Sequence, residues 1–130
     1  MSKSAKTIVF FGLYLVGMGL GFLLAPNVLF GMLSLPLTDE VWSRVVGVLA
    51  LLLAYYYLNA ARSELRPFFA WTVHTRIAAF LFFAAFVAAN FAGPMLVVLG
   101  GVDLLSALWT AATLKREGAL PVKAAARQTA

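Results

Sequence analysis

The sequence predicts an all-α integral membrane protein, folded as an antiparallel four-helix bundle. Three observations predict it. Hydrophobic residues make up 63% of the 130-residue chain and charged residues 12%. A soluble domain runs near half apolar and a quarter charged, and a chain this short cannot hide so much apolar surface in one small core. The apolar residues also fall into four runs, each close to the ~20 residues that a membrane helix needs. Finally, the lysines and arginines collect at the edges of those runs, as in membrane proteins that obey the positive-inside rule.

The first run, "TIVFFGLYLVGMGLGFLLA", covers 7–25 without a charge. Lys3 and Lys6 before it resemble the start of a signal peptide, but the apolar stretch is too long and no A-x-A site follows, so a retained helix is expected. Pro26 and Asn27 mark its end. Residues 26–37, "PNVLFGMLSLPL", are too apolar for a solvated loop and too short to span. They read as an interfacial segment, a short helix lying flat on the bilayer. The second span covers 41–61. Thr38 is its expected N-cap, and Asp39 and Glu40 suit the positive end of the helix dipole. The turn "RSELRP", 62–67, leads to a third span over about 70–91, which Asn90 is expected to end. The fourth covers 94–114, with Pro94 at a tolerated helix start and "KREG" as its stop. The tail from 118 to 130 is small and polar, and reads as flexible.

Orientation follows from charge. Lys3, Lys6, Arg62, Arg66, Lys115, Arg116, Lys123 and Arg127 lie at the two termini and the central turn, and the other two connections carry no Lys or Arg. Both termini are therefore expected in the cytoplasm, which for a bacterial source means a multi-pass protein of the cell inner membrane. The net charge of +5 comes from these flanking residues, a distribution that does not suit nucleic acid. The lipid bilayer is the expected partner. Because lipid gives apolar helices no drive to associate, small residues must let backbones approach. Gly17, Gly19 and Gly21 in the first span, Gly47, Ala50 and Ala54 in the second, and Gly100 and Gly101 in the fourth are the candidates.

The informative residues are the polar ones at depth. Asp103, in "GGVDLLSALWT", lies roughly 13 Å into the fourth span at the helical rise per residue, where an isolated charge is costly. It must pair with a cation, hydrogen-bond while protonated, or line a wet cavity. Arg44 is the cation closest in depth, and Arg76 is reachable with tilt. A clamp between helices and a ligand or proton site both remain open. A second cluster is expected near the basic end: Tyr56 or one of its neighbours in "AYYYLNAAR", Asn59, Arg76 with Thr72 and Thr75, the single histidine His74, and Thr110 with Thr113. Interfacial anchoring and hydrogen bonds between helices explain such a cluster as well as a site does.

Several chemistries drop out. There is no cysteine, which removes disulfides, thiolate catalysis and iron–sulfur clusters. One histidine without a Glu-x-x-His motif supports neither a metal site nor a haem pair, and no cofactor is implied. No paired carboxylates, nucleophile elbow or phosphate loop occur. Glu64, between Arg62 and Arg66, reads as solvated.

A glycine-rich first span followed by "RVVGVLALLLAYYYLNAAR", "TVHTR" and "GGVDLLSALWT" resembles the DoxX-like superfamily of small four-span membrane proteins, and more narrowly its BphX-like members, which accompany aromatic-hydrocarbon degradation genes. The resemblance covers roughly residues 8–116. It implies a compact four-helix membrane bundle. It implies no agreed activity, so it assigns no catalytic residue. Some DoxX-like relatives are linked to quinone or thiol redox chemistry, and the lack of cysteine argues against the thiol route here.

The first expectation for function is a non-enzymatic binding or accessory protein for a hydrophobic small molecule or a membrane-protein partner. The second is a membrane-embedded enzyme acting on a lipophilic substrate, with Asp103 as acid or base and Arg44, Arg76 or Tyr56 stabilising charge. The third is one subunit of a homo-oligomeric channel or exporter.

Overall fold

The computed structural model describes the backbone of residues 1–129 and the side chains of residues 1–118. Every regular element among the described residues is a helix: α1 (Lys3–Leu24), α2 (Pro26–Met32), α3 (Trp42–Arg62), α4 (Arg66–Ala88) and α5 (Met95–Thr129). α1, α3, α4 and the Met95–Gly118 part of α5 are long and apolar enough to cross a membrane.

Local chemistry explains most boundaries. Ser2 caps α1, its Oγ accepting the Ala5 N–H at 3.1 Å. α1 stops at Ala25 because Pro26 cannot continue it, and Pro26 opens α2 at a position where its missing N–H costs nothing. The segment expected to lie flat thus contains one short helix over its first seven residues. Pro67 plays the same opening role in α4, which begins at Arg66 rather than near 70.

Three helices end alike. After α2, α3 and α4 the chain turns left-handed at Ser34 (φ 56°), Glu64 (φ 51°) and Asn90 (φ 63°). The next N–H then reaches back five residues: Leu35 to Phe30 O at 2.8 Å, Leu65 to Ala60 O at 3.0 Å and Phe91 to Phe86 O at 2.8 Å. This is the Schellman closure, which satisfies orphan carbonyls and reverses the chain. Asn90 ends α4 as the sequence suggests; Ser34 and Glu64 take the same turn without glycine.

Two boundary expectations fail. Thr38 does not cap α3: its Oγ1 takes the Glu40 N–H at 3.1 Å, and Asp39 and Glu40 lie ahead of the helix, which starts at Trp42 with no acidic residue in its first turn. α5 does not stop near 114. It continues through Lys115, Arg116 and Glu117, because Glu117 finds partners on α1 and α4 that a free helix end would lack. The flexible tail expected over 118–130 falls almost entirely outside the residues whose side chains are described.

Side-chain contacts set the register. Gly12 faces Tyr57 and Leu58, and Gly19 faces Gly47, so α1 and α3 run antiparallel. Ser4 meets Glu117 and Thr7 meets Thr110, so α1 and α5 do too. Arg76 meets Ser106 and Thr110 while Phe80 and Phe83 meet Gly100, so α4 and α5 follow suit. The α1–α3 and α4–α5 seams are extensive, whereas α3 and α4 barely touch beyond their shared turn. The apolar core lies toward the end that carries the N-terminus and the α3–α4 turn. There Ala5, Ile8, Phe11, Tyr57, Ala60, Ala61 and Phe69 cluster, with Phe11 and Tyr57 rings 5.3 Å apart.

The glycines divide by face. A Cβ at Gly47 would stand 2.6 Å from Leu23 N and 2.7 Å from Gly19 O, all backbone. Gly19 and Gly47 therefore form the close approach that small residues permit. Gly17 and Gly101 face open space, and Gly21 faces Leu29 of α2. Of the three candidate glycines in the first span, Gly19 is the one that packs against α3.

Candidate functional site

A polar stripe runs along α5 from Asp103 to Glu117. Asp103, Ser106, Thr110, Thr113 and Glu117 are spaced three, four, three and four residues apart, which puts them on one helix face. α1 answers with Ser4, Thr7 and Tyr14 across the seam. Between the two stripes sits the Arg76 guanidinium of α4, 2% exposed.

All of the Arg76 donors that find partners go to neutral oxygens. Nε donates to Thr72 O at 3.1 Å, Nη1 to Ser106 Oγ at 3.1 Å, and Nη2 to Thr72 Oγ1 at 3.0 Å and Thr110 Oγ1 at 2.9 Å. The Phe11 ring lies under the guanidinium carbon at 4.8 Å, a cation–π contact. Thr110 Oγ1 in turn lies 2.7 Å from Thr7 Oγ1. The hydroxyls are not held by Arg76 alone: Ser106 also donates to Asp103 O, Thr110 to Ser106 O and Thr72 to Phe69 O. No buried side-chain nitrogen or oxygen among the described residues lacks a partner.

Beyond Thr7 the stripe reaches the basic end. The Glu117 carboxylate accepts the Ser4 N–H at 3.0 Å and the Ser4 hydroxyl, and pairs with Arg66 Nη1 at 3.2 Å. Glu64 accepts the Ser2 N–H at 2.6 Å and the Ser2 hydroxyl at 2.7 Å. Two carboxylates thus hold the positive N-terminal end of α1. Glu64 is not merely solvated, as its sequence context suggests: the Ser2 hydroxyl and amide hold its carboxyl below the usual glutamate range.

At the other end of the stripe the picture changes. Asp103 is only partly buried, and its carboxylate forms neither a hydrogen bond nor an ion pair among the described residues. It lines a cavity of about 140 Å³ to which all four long helices contribute, with Tyr14, Met18 and Phe22 from α1, Val46 and Ala50 from α3, Phe83 from α4 and Leu99 beside it on α5. The core cluster lies in the basic half of the bundle, and the cavity lies in the half nearer α2.

The expected pairing of Asp103 with an arginine is therefore not formed. Arg44 Nη1 donates to Leu23 O, one of the orphan carbonyls at the end of α1, and faces a polar cleft with Asn27, Asp39 and Glu40. Arg76 is spent on hydroxyls. Nor do the other candidates gather. Tyr56 is 61% exposed, and Tyr57 is the tyrosine that enters the core. Asn59 turns back on Tyr55 O at 2.8 Å and is exposed, and His74 is exposed on α4. Of the predicted set, Arg76 and Thr110 share one network and Asp103 lies a turn beyond it through Ser106. Tyr14, Phe22, Phe83, Ser4, Thr7, Ser106 and Glu117 were not singled out from the sequence. The three-and-four spacing of the α5 stripe was the signal that points to Ser106 and Glu117; the cavity aromatics give none, being apolar residues in apolar runs. No group of histidines and carboxylates among the described residues could hold a metal ion. Comparison with family models, with curated proteins and with solved structures gives no match.

Proposed function

We propose that this chain is a four-span membrane protein that binds a small lipophilic molecule in the cavity beside Asp103. The observation that carries the proposal is that cavity, about 140 Å³ where four apolar helices converge, with an unpartnered carboxylate on its wall. Its volume is close to that of the ~150 Å³ engineered cavity that takes up benzene, but it opens outward, so it seats about one ring and leaves any further part of the molecule at its mouth. Membrane residence is supported by the outward faces: Phe10, Leu49, Phe82 and Leu105 are each more than half exposed, an arrangement suited to lipid rather than water. The positive-inside rule would put the basic end, with both chain ends, in the cytoplasm, and a bacterial source would make the membrane the inner one. The resemblance to BphX-like members of the DoxX-like superfamily fits a ring-sized occupant. An acid–base enzyme is less well supported, because Arg44, Arg76 and Tyr56 do not reach the Asp103 carboxylate.

The test is thermal unfolding of the full chain in lipid nanodiscs with and without ethylbenzene. A ligand that binds only the folded state raises the midpoint. A rise is expected for the native chain and none for Ala50→Phe, which fills the cavity from α3. Equal responses in the two proteins would refute cavity binding. Ala50→Leu, a smaller plug, serves if the phenylalanine variant does not fold.

A further inference from the structure

The wall chemistry of the cavity restricts its ligand further. Asp103, as a carboxylate, only accepts hydrogen bonds, and no cation among the described residues forms an ion pair with it. Arg44 is bound to Leu23 O at the α2 end. Arg76 is bound by Thr72, Ser106 and Thr110 and does not line the cavity. A charge at this depth is costly until something compensates it. Around the same cavity stand three aromatic rings from two other helices, Tyr14 and Phe22 of α1 and Phe83 of α4. Aromatic faces attract cations, and a set of them is the usual lining of sites that recognise organic ammonium groups. An anion would meet Asp103 as a like charge, and a neutral hydrocarbon would leave the carboxylate without a hydrogen-bond donor.

We propose that the ligand is a compact organic ammonium ion, its N–H groups donating to Asp103 and its body packed among Tyr14, Phe22 and Phe83. This rests on the cavity being the binding site. The space seats about one ring, by comparison with cavities that hold benzene, and its open side takes a short arm. The apolar remainder of the wall, including Leu99 and Met18, takes the ring. The amine supplies the direct ion pair that neither arginine forms. Arg76 remains the fixed positive charge on the far side of Ser106.

The experiment measures equilibrium binding of benzylamine, protonated at neutral pH, and of ethylbenzene, its neutral isostere, to the full chain in nanodiscs. Ala50→Phe reports the background from lipid. The native chain is expected to bind benzylamine at least ten-fold more tightly than ethylbenzene. Asp103→Asn is expected to lose that preference while still binding ethylbenzene, which also demonstrates that the variant folds. Phe83→Leu is expected to weaken benzylamine several-fold more than ethylbenzene. Ethylbenzene bound as tightly as benzylamine by the native chain would overturn the ammonium proposal and leave the cavity in place. Benzylamine binding that survives Asp103→Asn unchanged would overturn it as well. Binding of neither probe above the Ala50→Phe background would overturn both readings.

Discussion

Adding one methyl group at Gly47 will separate α1 from α3, while the same addition at Gly17 will not. A Cβ at Gly47 meets Leu23 N at 2.6 Å, Gly19 O at 2.7 Å and Phe22 C at 3.0 Å. Every one of these atoms is backbone, so no rotamer change relieves the contact. Ordinary Cβ contacts begin near 3.4 Å, so the two helices must move apart by close to 1 Å. On a steep dispersion potential, a gap of ~0.5–1 Å forfeits a quarter to a half of each contact, and overpacking of a tight seam typically costs about 1–3 kcal/mol. Gly17 has nothing within 4 Å. There alanine gains about 0.5–1 kcal/mol of helix propensity instead. The assay is reversible unfolding in mixed detergent micelles, comparing Gly47→Ala, Gly17→Ala and the parent. Gly47→Ala is expected to be the least stable and Gly17→Ala at least as stable as the parent. If the two variants unfold together, the helix seam is not where these contacts place it.

Two further outcomes follow from the Arg76 network and from the contacts at the start of α1. Arg76→Lys is expected to destabilise the chain more than Arg76→Met, by unfolding in the same micelles: lysine keeps a buried charge but cannot fork to Thr72, Ser106 and Thr110, whereas methionine leaves hydroxyls that still donate to backbone oxygens. Equal stability of the two would mean that the guanidinium geometry is immaterial. Glu64 has a folded-state pKa below its ordinary 4.5, mainly through the Ser2 hydroxyl and then the Ser2 amide. Its contribution to stability is therefore complete above the ordinary value and is lost as pH falls through the folded one. Unfolding from pH 7 to 3 is expected to show less acid destabilisation in Glu64→Gln than in the parent; parallel curves would exclude the Ser2 contact. The effect is small, because the group is exposed and solvent screens it.

The four long helices were legible because apolar runs bounded by proline and basic residues leave the backbone few alternatives in a non-aqueous setting. The core-facing role of Arg76 was half legible: its depth required partners, but three hydroxyls rather than one carboxylate supply them. Asp103 was legible as a problem and not as a solution. Sequence depth placed it near Arg44, yet the α1 terminus captures that guanidinium first. Tyr55, Tyr56 and Tyr57 show the same limit. Consecutive residues point about 100° apart on a helix, so only one can enter the core, and packing against Phe11 and Phe68 selects Tyr57.

By itself the sequence determined the number of helices, most of their ends and the end of the bundle at which charge collects, since each depends on local composition or on neighbours within a turn or two. The tertiary structure alone decided which glycine touches a backbone, which tyrosine is inside, that Glu64 and Glu117 grip the start of α1, and that Asp103 opens on a cavity. Those outcomes depend on helix rotation and depth relative to partners far away in the chain. A rotation of half a turn or a slide of a few ångström changes every one of them and leaves the apolar pattern untouched.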